Sequence, residues 1–171
     1  TGAGVPVPET VIVRGLDDVG PGRLPWDYPW RVVVKPVVGR GARKVYRVPS
    51  WDWPKLWLAI QAAWSGEVLI QGWLDGKQLS TETLVQDGKA LWTSVAERNY
   101  GRLPITNPNV IEDGSDMPVL WEYENRHVPD RIHEVMGLCA KAIGLTSGTL
   151  KGDLVWHRGD AHVLEVAPRL S

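Results

Sequence analysis

Hydrophobic residues gather in short runs whose period alternates between strand-like and helix-like. Thr10–Val13 is a brief β-like stretch inside a Gly- and Pro-rich opening over 1–29. Trp30–Lys35 reads as a buried strand and Lys44–Val48 as the next, joined by a turn at Gly39-Arg40-Gly41. Trp53, Leu56, Trp57, Ile60 and Trp64 then recur at spacings of three and four. Ser50 or Asp52 is placed to cap that helix, Pro54 suits its first turn and Gly66 its end. The period assigns those Trp residues to a core. Val68–Leu74 is another apolar strand, and Asp75-Gly76 turns it into Gln78–Gln86. Asp87-Gly88, a tight hairpin signal, leads into Lys89–Ala96. Residues 101–118 are polar and read as irregular. Pro129–Ile143 is an amphipathic helix with Ile132, Val135, Met136, Cys139 and Ile143 on one stripe, stopped by Gly144. Gly148–His157 and His162–Ala167 close the pattern as a strand pair around Arg158-Gly159-Asp160.

This order of elements predicts an α+β fold of two small lobes, 1–67 and 68–171. A length of 171 residues with 43% hydrophobic content supports a real core. The formal net charge of −1 provides no basic excess to attract nucleic acid or an anionic membrane. Apolar runs such as Val32-Val33-Val34 are too short to span a bilayer, and no basic-then-apolar leader opens the chain. Cys139 is the one cysteine, which excludes an internal disulfide framework and fits a reducing compartment, so cytoplasm is expected. On its apolar stripe Cys139 reads as an inert core residue. Ten Trp and no Phe place indoles where a core would usually take Phe, as at Trp57, Trp73 and Trp156. The chain opens at Thr1 and stops at Ser171 directly after an apolar run, so it is expected to be part of a longer protein.

Two constellations carry candidate chemistry. Lys35 ends an apolar strand beside Pro36 and the glycines of the hairpin tip, a combination that suits polyphosphate oxygens. Standing alone, it reads first as a solvated lysine with a basic tip at Arg40, Arg43 and Lys44, and it is not a Walker loop. Asp153 and Glu165 each sit amid apolar strand residues, where a carboxylate is costly unless paired or metal-bound. Counting back from the 158–160 turn places them on facing strands, within reach of one cation, and hard oxygen ligands suit Mg²⁺. The alternative is a structural carboxylate bonded to Lys151 or Arg169. Glu97-Arg98-Asn99-Tyr100 could face an acceptor substrate, and Glu112-Asp113-Gly114-Ser115-Asp116 reads as an acidic surface loop. The four His residues show no zinc-ligand spacing, and no Gly-x-Ser-x-Gly elbow occurs.

Taken in order, Val-Val-Val-Lys35-Pro, Gly39-Arg40-Gly41, Val68-Leu-Ile-Gln-Gly-Trp-Leu-Asp-Gly76, Lys151-Gly-Asp153 and Leu164-Glu165-Val-Ala-Pro-Arg169 resemble the ATP-grasp superfamily over nearly the whole chain. The nearest likeness is to its carboxylate–amine ligase branch. The resemblance implies a smaller lid-like lobe over 1–67, a larger core lobe over 68–171 truncated at its C-terminus, and a nucleotide site between them. ATP and Mg²⁺ are the implied cofactors, with a small-molecule carboxylate and an amine as substrates. Lys35 matches the phosphate-contacting lysine, and Gly39, Arg40, Gly41 and Ala42 the loop that closes over the phosphates. Gln71, Gly72, Trp73 and Leu74 match the strand that bonds adenine through main-chain groups, and Gln78 falls at the ribose position. Asp153 and Glu165 match the magnesium carboxylates. Lys151 and Arg169 match cations near the transferred phosphoryl group and the acyl phosphate. Gln71 and Gln78 stand where Glu is common, and Ala167 where many members have an Asn metal ligand. The resemblance implies an N-terminal domain before this core, which these residues are expected to lack, and a non-catalytic nucleotide-binding or structural module is the alternative expectation.

Overall fold

The computed structural model describes residues 3–15, 18–19, 31–38, 43–48, 53–101, 112–119, 121 and 126–170. It divides into two compact units. One comprises Pro8–Trp73 with Tyr100–Asp113, and the other Thr1–Val7, Leu74–Asn99 and Gly114–Ser171.

The first unit carries β1 (Thr10–Val13), β2 (Val32–Pro36), β3 (Tyr46–Val48), α1 (Trp53–Ala63) and β4 (Val68–Gly72). Its strands form an antiparallel four-stranded sheet in the order β1-β4-β2-β3. Alternation along β2 sends Val32 and Val34 into a core with Val48, Leu56, Ile60 and Ile70, and turns Val33 and Lys35 to the opposite face. Trp57 packs half-buried against that core. Trp64 is 37% exposed, contrary to its assignment to the core. The helix ends at Ala63, so the residue after it leaves the apolar stripe.

The second unit carries β5 (Lys77–Gln86), β6 (Lys89–Asn99), β7 (Gly114–Asp116), α2 (Val128–Ala142), β8 (Gly148–His157) and β9 (Asp160–Ala167). They build an antiparallel five-stranded sheet, β7-β6-β5-β8-β9, with α2 packed on one face. Its two hairpin turns are of the two-residue kind that needs positive φ twice: Asp87 and Gly88 at 51° and 71°, Arg158 and Gly159 at 49° and 84°. The second of these lengthens β9 back to Asp160, two residues before the expected start. Strand β7 lies within the stretch that reads as irregular. Its three exposed residues, Gly-Ser-Asp, carry no apolar alternation, and only pairing with the edge of β6 makes them a strand. Val128, Ile132, Val135, Met136, Cys139 and Ala140 of α2 are buried. Ile143 is 46% exposed because it is the C-cap, outside the stripe to which it was assigned. Gly144, at φ 71°, provides the left-handed stop expected of it. Among the described residues no helix is long and apolar enough to cross a membrane.

Candidate functional site

Strand β8 shows how one stretch of sequence serves two purposes. Leu150, Gly152 and Leu154 are buried on the α2 side, so Lys151 and Asp153 project from the other face. Gly152 sets how closely the helix approaches: a Cβ there would lie 2.7 Å from both Met136 Sδ and Thr81 Oγ1. The glycine between two candidate site residues is thus explained by packing on the face behind them.

Glu165 reaches the same polar face through a bulge. Asp153 pairs with Glu165 and Leu154 with Val163, so Leu164 is the extra residue on β9. Unbroken alternation from buried Ala161 and Val163 would turn Glu165 toward α2. The bulge instead sends Val166 against the core and brings Glu165 opposite Asp153. Simple counting from the turn gives the right strands, and the one-residue slip gives the right pair.

Asp153 is the centre of an ion cluster. Its Oδ1 accepts a hydrogen bond from Arg98 Nη2 at 2.8 Å and from Lys151 Nζ at 3.1 Å. The three side chains are largely shielded, at 14% exposure for Arg98, 14% for Lys151 and 22% for Asp153. Ser80, which pairs with Asp153 from β5, has its hydroxyl 3.5 Å from Arg98 Nη2. The expected structural partner Lys151 is therefore present. The other cation on Asp153 is Arg98, not Arg169. Arg169 lies exposed beyond β9 and donates to the neighbouring Leu170 carbonyl at 2.7 Å.

Arg98 is the residue that sequence reasoning left outside the site. Strand alternation disperses the Glu97-Arg98-Asn99-Tyr100 group. Glu97 pairs with Lys77 at 2.6 Å, Asn99 bonds Asp116 at 3.1 Å, and the Tyr100 ring lies 5.7 Å from the Arg47 guanidinium. Arg98 alone of the four reaches Asp153. A signal was available: along β6 it falls on the face opposite Glu97, whose partner Leu79 is buried.

The remaining predicted residues distribute as follows. Gln78 pairs with Val155 on the five-stranded sheet, one step along β5 from Ser80. In the first unit Lys35 pairs with Leu69, half-buried on the side away from α1. Gln71 is 8% exposed and donates through Nε2 to Thr10 Oγ1 at 3.0 Å. The main-chain N–H of Gly72 goes to the Glu9 carbonyl at 2.9 Å, and that of Trp73 to the Arg31 carbonyl at 2.8 Å. The Trp73 ring is flanked by the guanidinium groups of Arg31 and Arg47, at 5.7 and 5.5 Å. Leu74 begins the Leu74–Asn99 segment of the second unit. Gly39, Arg40, Gly41 and Ala42 lie outside the described residues. Cys139 is buried against α2's neighbours, and desolvation pushes its thiol up to about 11, as suits a core residue.

Does this face fit Mg²⁺? Magnesium usually takes one or two protein carboxylates and completes its shell with water and phosphate oxygens. Asp153 and Glu165 meet that requirement. Among the described residues no group of three or more His, Cys, Asp or Glu could hold a metal by itself. Ala167, paired with Lys151, contributes no oxygen from its side chain.

Comparison with known proteins gives a consistent result. The family profile described as the ATP-grasp domain matches residues 2–171. A comparison with curated protein sequences found no match. Among solved structures, L-amino acid ligase from Bacillus licheniformis is 24% identical with a TM-score of 0.75, covering 99% of this chain and 38% of that one. D-alanine–D-alanine ligase from Bacillus anthracis, solved with ATP, is 19% identical with a TM-score of 0.65, covering 96% of this chain and 48% of that one. The biotin carboxylase domain of the Hydrogenobacter thermophilus 2-oxoglutarate carboxylase, solved with MgADP, ADP and bicarbonate, is 16% identical with a TM-score of 0.67, covering 99% and 38%. At these identities the likeness is one of fold. The chain spans less than half the length of each of these structures.

Proposed function

This chain belongs to the ATP-grasp family, and we propose that it is the nucleotide- and magnesium-binding core of a ligase that activates a carboxylate. The observation that carries the reading is the pairing of Asp153 with Glu165 across β8 and β9, with Lys151 and Arg98 converging beside them. The bulge at Leu164 is what allows this: without it the two carboxylates would point to opposite faces.

In this reading Asp153 and Glu165 hold Mg²⁺, which when bound neutralises phosphate oxygens of ATP. Lys151 supplies positive charge where the γ-phosphoryl group passes from ATP to a carboxylate oxygen of the substrate, releasing ADP. An amine then attacks the acyl carbon and phosphate leaves, so no protein nucleophile is needed. The chain's part is positioning and charge neutralisation, as is general for phosphoryl transfer. Lys35, Gly39–Ala42, Gln71–Leu74 and Gln78 are the proposed nucleotide contacts, and Arg169 the proposed partner of the acyl phosphate. Family resemblance supports these roles. The rest of the parent protein would supply the substrate-binding parts, and cytoplasm is the expected location.

One observation favours a second reading, a nucleotide-binding module without turnover. Ala167 leaves the metal with two protein carboxylates and no side-chain amide beside them. A single experiment addresses both readings. Mg·ATP stabilises a chain that binds it when folded by RT ln(1 + [L]/Kd), about 2.7 kcal/mol at a hundredfold excess over Kd. The melting temperature is expected to rise with Mg·ATP, and the Mg²⁺ dependence to vanish in Asp153→Asn and Glu165→Gln. A wild-type chain unmoved by millimolar Mg·ATP would sink the nucleotide site. Stabilisation without ADP release, when carboxylate and amine substrates are screened, selects the second reading.

A further inference from the structure

Two arginines of the five-stranded unit hold an aspartate, and they hold it differently. Arg131 engages both oxygens of Asp160, Nε to Oδ1 at 2.8 Å and Nη2 to Oδ2 at 3.1 Å. On the polar face of the sheet, Arg98 Nη2 and Lys151 Nζ converge instead on the single oxygen Oδ1 of Asp153. Two largely shielded cations therefore share one carboxylate oxygen and repel one another across it. A guanidinium has five N–H donors in a planar fork, suited to phosphate as well as carboxylate.

We propose that Arg98 is a phosphate-binding residue of this site, held on Asp153 in the unliganded chain and transferred to the polyphosphate when magnesium nucleotide occupies that carboxylate. The inference rests on the nucleotide site proposed above and adds a residue to it. A metal ion at Asp153 raises the repulsion on Arg98, and the phosphates that arrive with the metal offer Arg98 a stronger anion. Without phosphate to receive Arg98, Mg²⁺ must compete with it for the carboxylate. Arg98 thereby couples metal and nucleotide, so that each binds better with the other present.

The test is calorimetry and thermal shift on the 171-residue chain, with Mg²⁺ alone and with Mg·ATP. Arg98→Gln is expected to weaken Mg·ATP binding by about tenfold or more, the effect of one charge-assisted hydrogen bond. Its response to Mg²⁺ alone is expected to exceed that of the wild type, because Asp153 has lost a competing cation. A merely structural Arg98 would lower the melting temperature under all conditions alike and leave both affinities unchanged, which overturns the proposal. Should Arg98→Gln fail to fold, Arg98→Lys is measured in its place. It keeps the charge and loses the fork, so a clear loss of Mg·ATP affinity is expected, and wild-type affinity overturns the proposal. Wild type that does not bind Mg·ATP removes the site itself and this inference with it. Wild type that binds, beside an Arg98→Gln variant that binds equally, removes this inference alone.

Discussion

The two faces of the five-stranded sheet are made from alternate residues of the same strands, and they respond to opposite demands. Toward α2, β8 presents Leu150, Gly152 and Leu154, all buried, and β5 presents Leu79 and Val85 with Thr81 and Thr83. Even the polar groups there are spent internally: Thr83 and Thr93 share a hydrogen bond at 3.0 Å, and Thr93 meets His133 Nδ1 of α2 at 2.9 Å. The opposite face presents Lys151, Asp153, Glu165, Arg98, Ser80 and Gln78, a surface rich in charge. A substitution therefore registers differently on the two faces. On the helix side it changes stability, and on the polar side it changes what the chain can bind.

The largest effect is expected from Gly152→Val on the helix side. Its Cβ would press on Met136 and Thr81, so α2 must lift from the sheet. Overpacking of this kind costs about 3 kcal/mol, and urea denaturation measures it. A variant as stable as the wild type would show that the helix does not sit closely behind the site. Asp153→Asn comes next. It deprives two largely shielded cations of their shared anion, a loss of about 1–2 kcal/mol, while removing the Mg²⁺ dependence of ATP binding. Glu165, exposed on β9, should show the binding effect with little change in stability.

A smaller effect belongs to the rim, where Arg131 clamps Asp160. That hydrogen bond is the main reason the Asp160 carboxyl lies below its ordinary range, assisted by the Ala161 N–H. Since the folded-state value is depressed, the stabilisation is present above the ordinary aspartate range and fades as pH falls through the depressed value. The pair is about a third exposed, so Asp160→Asn should cost about 1 kcal/mol or less at neutral pH. That difference from wild type should shrink in acid melts. A pH-independent difference would assign the effect to the turn itself. The smallest signal concerns Cys139. Buried and with its thiol raised, it should react with a thiol reagent at neutral pH far more slowly in the native chain than in urea. Rapid native labelling would contradict the packing of α2.

Much of this organisation was legible in residue order. The Asp87-Gly88 turn was recognisable because Asp and Gly accept positive φ in succession, and the Arg158-Gly159 turn because a glycine-bearing polar break separates two apolar strands. The apolar stripe of α2 was legible through its period, apart from its last member, Ile143. Strand β7 was not, because three exposed polar residues carry no pattern and acquire one only by pairing with β6. The candidate carboxylates stood out because charge inside an apolar run is costly. Arg98 did not, because a charged residue near the end of a half-exposed strand is unremarkable until its partner is known.

Residue order alone is enough to locate both helices and every strand but β7, the hairpin turns, the family the motifs resemble and the carboxylates that must be compensated. Those are local properties, set by side-chain period, φ preference and the cost of desolvating charge. Only in the folded chain does β4 pair with β1 and β2, Leu164 bulge so that Glu165 faces Asp153, and Arg98 join Lys151 on one oxygen. Register and cross-strand neighbours depend on residues far apart in the chain, and a shift of one position reverses the face of every side chain beyond it.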